Sequence, residues 1–115
     1  MAKRGSCHCG SIAFSVDAEL DEAVECNCSH CSRKGYLLAF LPRAVLTLDP
    51  VEGEMHTYRF NKHAIAHHFC ATCGCAPFAE GAGPDGAETA AVNLRCIEGI
   101  DLSQVKITQV DGRSF

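Results

Sequence analysis

Three tight cysteine clusters carry the chemistry this sequence could do. Cys26-Asn-Cys28-Ser-His-Cys31 puts three thiols within six residues, and Cys7-His-Cys9-Gly10 and Cys70-Ala-Thr-Cys73-Gly74 put two each. Thiolates are soft donors, and at C-x-C and C-x-x-C spacings they suit zinc. Residues two apart on a strand point the same way, so Cys7 and Cys9 can face one ion. Gly10 permits a positive φ, which lets a backbone N–H approach a thiolate. Cys70 to Gly74 has the form of a zinc knuckle. A closed structural site takes four ligands. The economical grouping is therefore Cys7, Cys9, Cys70 and Cys73 around one Zn²⁺, tying together the ends of a 60-residue stretch. Such a site contributes of order 10 kcal/mol to folding. A thioredoxin-type reading of C-x-x-C needs a βαβ context, which the sequence lacks.

The Cys26, Cys28 and Cys31 cluster differs because it can grip one ion locally. Three protein ligands leave a fourth position, the feature that separates catalytic from structural zinc. A substrate thiol entering there would lose its proton. A fourth protein ligand would close the site instead, and His30, His8, Cys75, Cys96, His67 or His68 could supply it. Spacing alone leaves open and closed undecided. Cys75 reads as a small buried thiol and Cys96 as a core residue in an apolar strand. One of His67 and His68 must face inward as a partly buried histidine, whereas His56 and His63 read as surface residues. Dinucleotide, phosphate-loop, nucleophile-elbow and H-E-x-x-H motifs are missing from the sequence.

The remaining composition narrows the class. Nine cysteines in 115 residues is an odd count, and seven are clustered, which argues against a disulfide framework. Lys plus Arg is 10 and Asp plus Glu is 14, a net −4 that disfavours a nucleic-acid surface. Seven thiolates and two zinc ions would move it to about −7. Met1 to Cys7 has two basic residues without an apolar stretch behind them, so no secretory signal is expected. No uncharged apolar run approaches the roughly 18 residues of a membrane span. A single cytoplasmic domain over residues 1–115 is expected, in a compartment where thiols stay reduced.

The elements that must position these thiols read as mostly strand. Ser11 to Val16 alternates, with Ile12, Phe14 and Val16 on one face. Tyr36–Leu41, Met55–Phe60, Ala66–Phe69, Thr89–Arg95 and Val105–Val110 are further strand candidates, with a turn at Asn61 to His63. Glu80 to Ala87, with three Gly and one Pro in eight residues, reads as a surface loop between strands. Helix is confined to one turn over Ser29–Lys34, with Ser29 near its N-cap, and another over Ile100–Val105. The expected class is all-β or β-rich, with short strands joined by metal.

Gly5-Ser-Cys7-His-Cys9-Gly10, Cys26-Asn-Cys28-Ser-His-Cys31-Ser-Arg-Lys-Gly35, His68-Phe-Cys70-Ala-Thr-Cys73-Gly74 and Val92-Asn-Leu-Arg-Cys96 together resemble the glutathione-dependent formaldehyde-activating enzyme family. Centromere protein V shares that domain. The resemblance covers about Gly5 to Val110. It implies a β-tent fold of small, coiled antiparallel sheets and a structural zinc on Cys7, Cys9, Cys70 and Cys73. It also implies a catalytic zinc on Cys26, Cys28 and Cys31, with glutathione as cosubstrate. The implied activity is carbon–sulfur lyase chemistry, joining glutathione and formaldehyde reversibly as S-hydroxymethylglutathione. Glutathione carries two carboxylates, so cations are expected near the pocket. Arg33 and Lys34 directly follow Cys31, with Arg59, Lys62 and Arg95 as further candidates. The partners expected are a small thiol and an aldehyde, with neither nucleic acid nor membrane; the sequence leaves the oligomeric state open. The alternatives are a non-catalytic thiol carrier and a structural interaction module.

Overall fold

A computed structural model describes residues 3–48, 55–59, 65–82 and 86–111. It is β-rich, with ten strands among the described residues and one short helix. A three-stranded antiparallel sheet runs β1 (Lys3–Ser6), β2 (Ala13–Val16) and β5 (Leu46–Leu48). The second sheet has seven strands. From one edge to the other they are β10 (Lys106–Val110), β3 (Glu22–Cys26), β4 (Leu38–Pro42), β9 (Glu88–Asn93), β8 (Phe78–Ala82), β7 (Ile65–Cys70) and β6 (Met55–Tyr58). Its narrowest junction is between β3 and β4, which meet through the single pair Val24 and Leu38. The β10–β3 pair is parallel and the others are antiparallel.

The three central strands explain where the core and the thiols go. Side chains alternate across a sheet. From β8, β9 and the approach to β4, Phe78, Val92, Ala90, Leu37 and Ala39 enter the main core with Phe14, Val16, Leu46 and Leu94. Their neighbours Ala79, Ala91, Leu38 and Tyr36 face the other way and pack with Cys31 and Ala76. Alanine on this second face leaves room for a helix and a thiol cluster. A third small cluster holds Cys7, Ile12 and Cys70.

The expected strands form with shifted ends. Four segments without strong alternation, β1, β3, β5 and β8, are also strands. Glu80, Gly81 and Ala82 belong to β8, so the expected loop after it begins later. Cys96 lies in a 3-10 turn, Leu94–Cys96, rather than in a strand, because Asn93 caps the turn by accepting from the Arg95 amide. A second 3-10 turn, Leu102–Gln104, stands inside the stretch read as Ile100–Val105. Phe60 and the turn at Asn61 to His63 lie outside the described residues, as does Lys62.

Candidate metal centres and an adjoining pocket

The four thiols of Cys7, Cys9, Cys70 and Cys73 converge, all within 4.8 Å of one another. Cys7 and Cys9 come from the turn joining β1 to β2, and Cys70 and Cys73 from the turn that ends β7. Cys9 Sγ lies 3.7 Å from Cys7 Sγ and 3.6 Å from Cys70 Sγ. A tetrahedral zinc with Zn–S bonds of about 2.3 Å has S···S edges of about 3.8 Å. A disulfide would bring two sulfurs to about 2.05 Å, and all nine cysteines are free. The spacing therefore fits a four-thiolate zinc.

Local donors prepare these sulfurs for negative charge. Cys70 Sγ accepts from the Thr72 and Cys73 amides at 3.3 and 3.4 Å. The Ile12 amide donates to Cys7 Sγ at 3.4 Å. Gly10 and Gly74 take positive φ of 84° and 80°, the backbone these turns require. The sequence reading missed Ser11, whose hydroxyl sits 3.1 Å from both Cys9 Sγ and Cys70 Sγ. Hydrogen bonding from Ser11, with the Cys73 and Thr72 amides and against burial, lowers the Cys70 thiol to about 5. The Cys75 and Cys9 amides likewise lower Cys73. The C-x-C-G-S spacing was the available signal for Ser11.

Cys26, Cys28 and Cys31 form the second group, their sulfurs also within 4.8 Å of one another. Cys26 ends β3, and the other two frame α1 (Ser29–Lys34). Cys28, not Ser29, is the N-cap, and its Sγ accepts from the Cys31 amide at 3.2 Å. Burial pushes the Cys28 thiol up, but the Cys31 amide and thiol and the His30 amide outweigh it, leaving it below its ordinary value. Burial pushes Cys31 far up, reinforced by the Cys28 and Cys26 thiols. Three such thiols cannot all ionise together at neutral pH unless a cation joins them, so the donor set fits a divalent soft metal. Among the described residues, no fourth His, Cys, Asp or Glu ligand atom joins this group within that distance.

Among the described residues, none of the other expected ligands joins either group within 4.8 Å. Cys75 and Cys96 lie 4.0 Å from each other, both half-buried. Both adjacent histidines of β7 are buried, not one alone. His68 Nε2 donates to Glu80 Oε1 at 2.7 Å, and its Nδ1 lies 2.9 Å from Thr57 Oγ1. Arg43 completes this chain by donating from Nε to Glu80 Oε2. His67 turns into a ring cluster: its ring is 4.4 Å from His30 and lies parallel to Tyr36 within 2° at 6.5 Å. His56 is exposed, as expected.

This ring cluster borders a pocket of about 200 Å³ between α1, β6 and β7. Tyr36, Phe69 and Ala76 line it and also pack in the cluster containing Cys31, so the pocket adjoins the three-thiol group. Lys34 reaches over the Phe69 ring, its Nζ 5.7 Å from the centroid. Burial, reinforced by charge repulsion from the neighbouring His30, His68 and Lys34 side chains, lowers His67 to about 4, leaving its ring neutral at neutral pH. Arg33 instead donates to its own helix, Nη1 to the Ser29 carbonyl at 2.7 Å. Arg95 donates from Nε to the Gly35 carbonyl at 2.9 Å. Among the described residues, no helix is long and apolar enough to cross a membrane.

The sequence model of a family described as glutathione-dependent formaldehyde-activating enzyme matches residues 2–108. A crystal structure of a Rhodobacter sphaeroides protein, a structural-genomics target, superimposes with a TM-score of 0.76 at 28% identity. The match covers 91% of this chain and 99% of that one.

Proposed function

This chain belongs to the glutathione-dependent formaldehyde-activating enzyme family, and from that premise we propose that it is a zinc-dependent carbon–sulfur lyase that joins glutathione, or a similar thiol, reversibly to a small aldehyde such as formaldehyde. The observation carrying this reading is the three-thiol group Cys26, Cys28 and Cys31, one donor short of a closed tetrahedron and beside a pocket. Zinc held by these three would supply a fixed positive charge that acidifies a thiol. Cys7, Cys9, Cys70 and Cys73 would hold a second, structural zinc.

The residues of the chain then have distinct tasks. The Cys31 amide keeps Cys28 Sγ in place and favours its ionised form. Lys34, at the pocket, provides a cation for a glutathione carboxylate, with the exposed Arg33 beside it as a second charge. In the forward direction the substrate sulfur forms a bond to the carbonyl carbon. The C=O π pair moves onto oxygen, and the proton given up by the thiol ends there. The reverse reaction breaks the same C–S bond. The proposed setting is the cytoplasm, as one zinc-binding domain with small-molecule partners.

The test is the rate of S-hydroxymethylglutathione formation and breakdown with purified, zinc-loaded protein. The expected result is a rate above that of buffer, abolished by Cys28→Ser. A rate equal to buffer's would overturn the enzyme reading and leave a thiol carrier.

A further inference from the structure

We propose that the pocket beside α1 is the carbonyl-substrate subsite and that it is shaped for an aldehyde bearing a planar aromatic ring. This rests on the reading of Cys26, Cys28 and Cys31 as the thiol-activating group. Formaldehyde has two heavy atoms and would fill a small part of about 200 Å³. A dry apolar cavity of roughly 150 Å³ accepts benzene, so this space holds a ring and leaves room for a formyl group.

The walls match a ring in kind as well as in size. Tyr36, Tyr58, Phe69, His30 and His67 line the pocket. The Tyr36 and His67 planes are parallel within 2°, and His30 stands at 62° to both. His30 also lies 5.4 Å from Tyr58. Tyr36, His30 and His67 pack on one another as a ready-made aromatic cluster, and the exposed Tyr58 and half-buried Phe69 are the walls on which an aromatic guest extends it. Ala76, with its small side chain, also lines the pocket. Lys34, whose Nζ stands over the Phe69 ring, also lines the pocket, so the cation proposed for a glutathione carboxylate borders the ring site. Tyr36 and Phe69 share their packing with Cys31, so a ring seated here holds its formyl group on the side of the thiol group. The reaction is the addition already described: a C–S bond forms, the carbonyl π pair goes to oxygen, and the thiol proton follows it.

The test has a binding arm and a rate arm. In the first, benzyl alcohol, which cannot form the adduct, is titrated into the zinc-loaded protein and followed by NMR of the ring protons. Saturable shifts confined to Tyr36, Tyr58, Phe69, His30 and His67 are expected. Tyr58→Ala, at a half-exposed edge position, should weaken binding about tenfold. Phe40→Ser, in the apolar groove lined by Phe40 and Ile65, should leave binding unchanged. In the second arm, benzaldehyde with glutathione should be turned over with a lower KM than formaldehyde. Shifts at Phe40 and Ile65 instead, or no saturable shifts, would overturn the proposal. Turnover of formaldehyde without benzaldehyde binding would overturn it too while leaving the proposed function standing. Binding in the pocket with no turnover of either aldehyde would overturn both, the carbonyl-subsite assignment falling with the proposed function.

Discussion

The two thiol groups use the same donor and are built in opposite ways. Four sulfurs converge from turns that lie 60 residues apart, between β1 and β2 and after β7. Three others come from six consecutive residues around the start of α1. Donors distant in sequence make a bound ion a staple, because losing it frees both ends of a long loop. Donors local in sequence make the ion separable from the fold, since α1 is held by its cap and by Tyr36, Leu38 and Ala91 beneath it. The first group is also closed, with hydroxyl and amide donors turned onto its sulfurs, whereas the second is one donor short and borders a pocket. On the proposed assignment, stability and reactivity fall to different copies of one chemistry.

The largest effect expected is at Cys70. Its sulfur is fully buried and accepts from two amides and the Ser11 hydroxyl. On the proposed assignment, Cys70→Ser forfeits most of a zinc contribution of order 10 kcal/mol, against a typical total stability of about 5–15 kcal/mol. The variant should be unfolded at room temperature by circular dichroism. A cooperatively folded Cys70→Ser chain would contradict the staple. Cys28→Ser should behave differently. Serine is a preferred N-cap, so α1 keeps its first-turn hydrogen bond while the soft donor is lost. Zinc per chain should fall from two to one, thiol chemistry should vanish, and the melting temperature should drop by only about 4 °C. An equal collapse of both variants would erase the distinction between the groups.

Much of this contrast was legible in the sequence. The clusters specify their own ligand counts, and strong alternation in Ser11–Val16 and length in Thr89–Arg95 marked β2 and β9. What stayed hidden depends on neighbours rather than on local pattern. Lys3–Ser6 is polar with a glycine and becomes a strand only because β2 pairs with it. Phe78–Ala82 contains a glycine and a charge, yet it is held between β7 and β9. The pocket was also out of reach, because Tyr36, Tyr58 and His67 approach one another only after β6 and β7 pair and α1 is laid beside them. The Cys28 cap was missed because a serine follows it and serine is the commoner cap.

Ser11 sharpens the first site alone. Ser11→Ala removes a hydroxyl placed 3.1 Å from two sulfurs and leaves the four thiols in place. The fold should persist, and zinc affinity at this site should fall about tenfold in a chelator competition, the usual size for an outer-sphere partner. No change in affinity would mean that the amides alone hold the sulfurs ready.

The smallest expected effect lies outside both groups and tests whether the sheet behind the pocket depends on charge. Burial pushes Glu80 up, but hydrogen bonds from Arg43 and His68, with their charge, outweigh it and hold the carboxyl below its usual range. A carboxyl so held binds its proton less readily when folded than when unfolded. It therefore favours folding above the ordinary carboxylate range, near 4.5, and the advantage is lost as pH falls through the lower folded value. The Glu80 side chain is about one-third exposed, so solvent screens the interaction and about 1 kcal/mol is expected. Glu80→Gln should be less stable than the parent by that amount at neutral pH, and the two should converge in acid. Acid release of metal acts on both chains alike, so the difference between their unfolding curves isolates the carboxylate. A gap that stays constant down through the carboxylate range would assign the role of Glu80 to shape rather than charge.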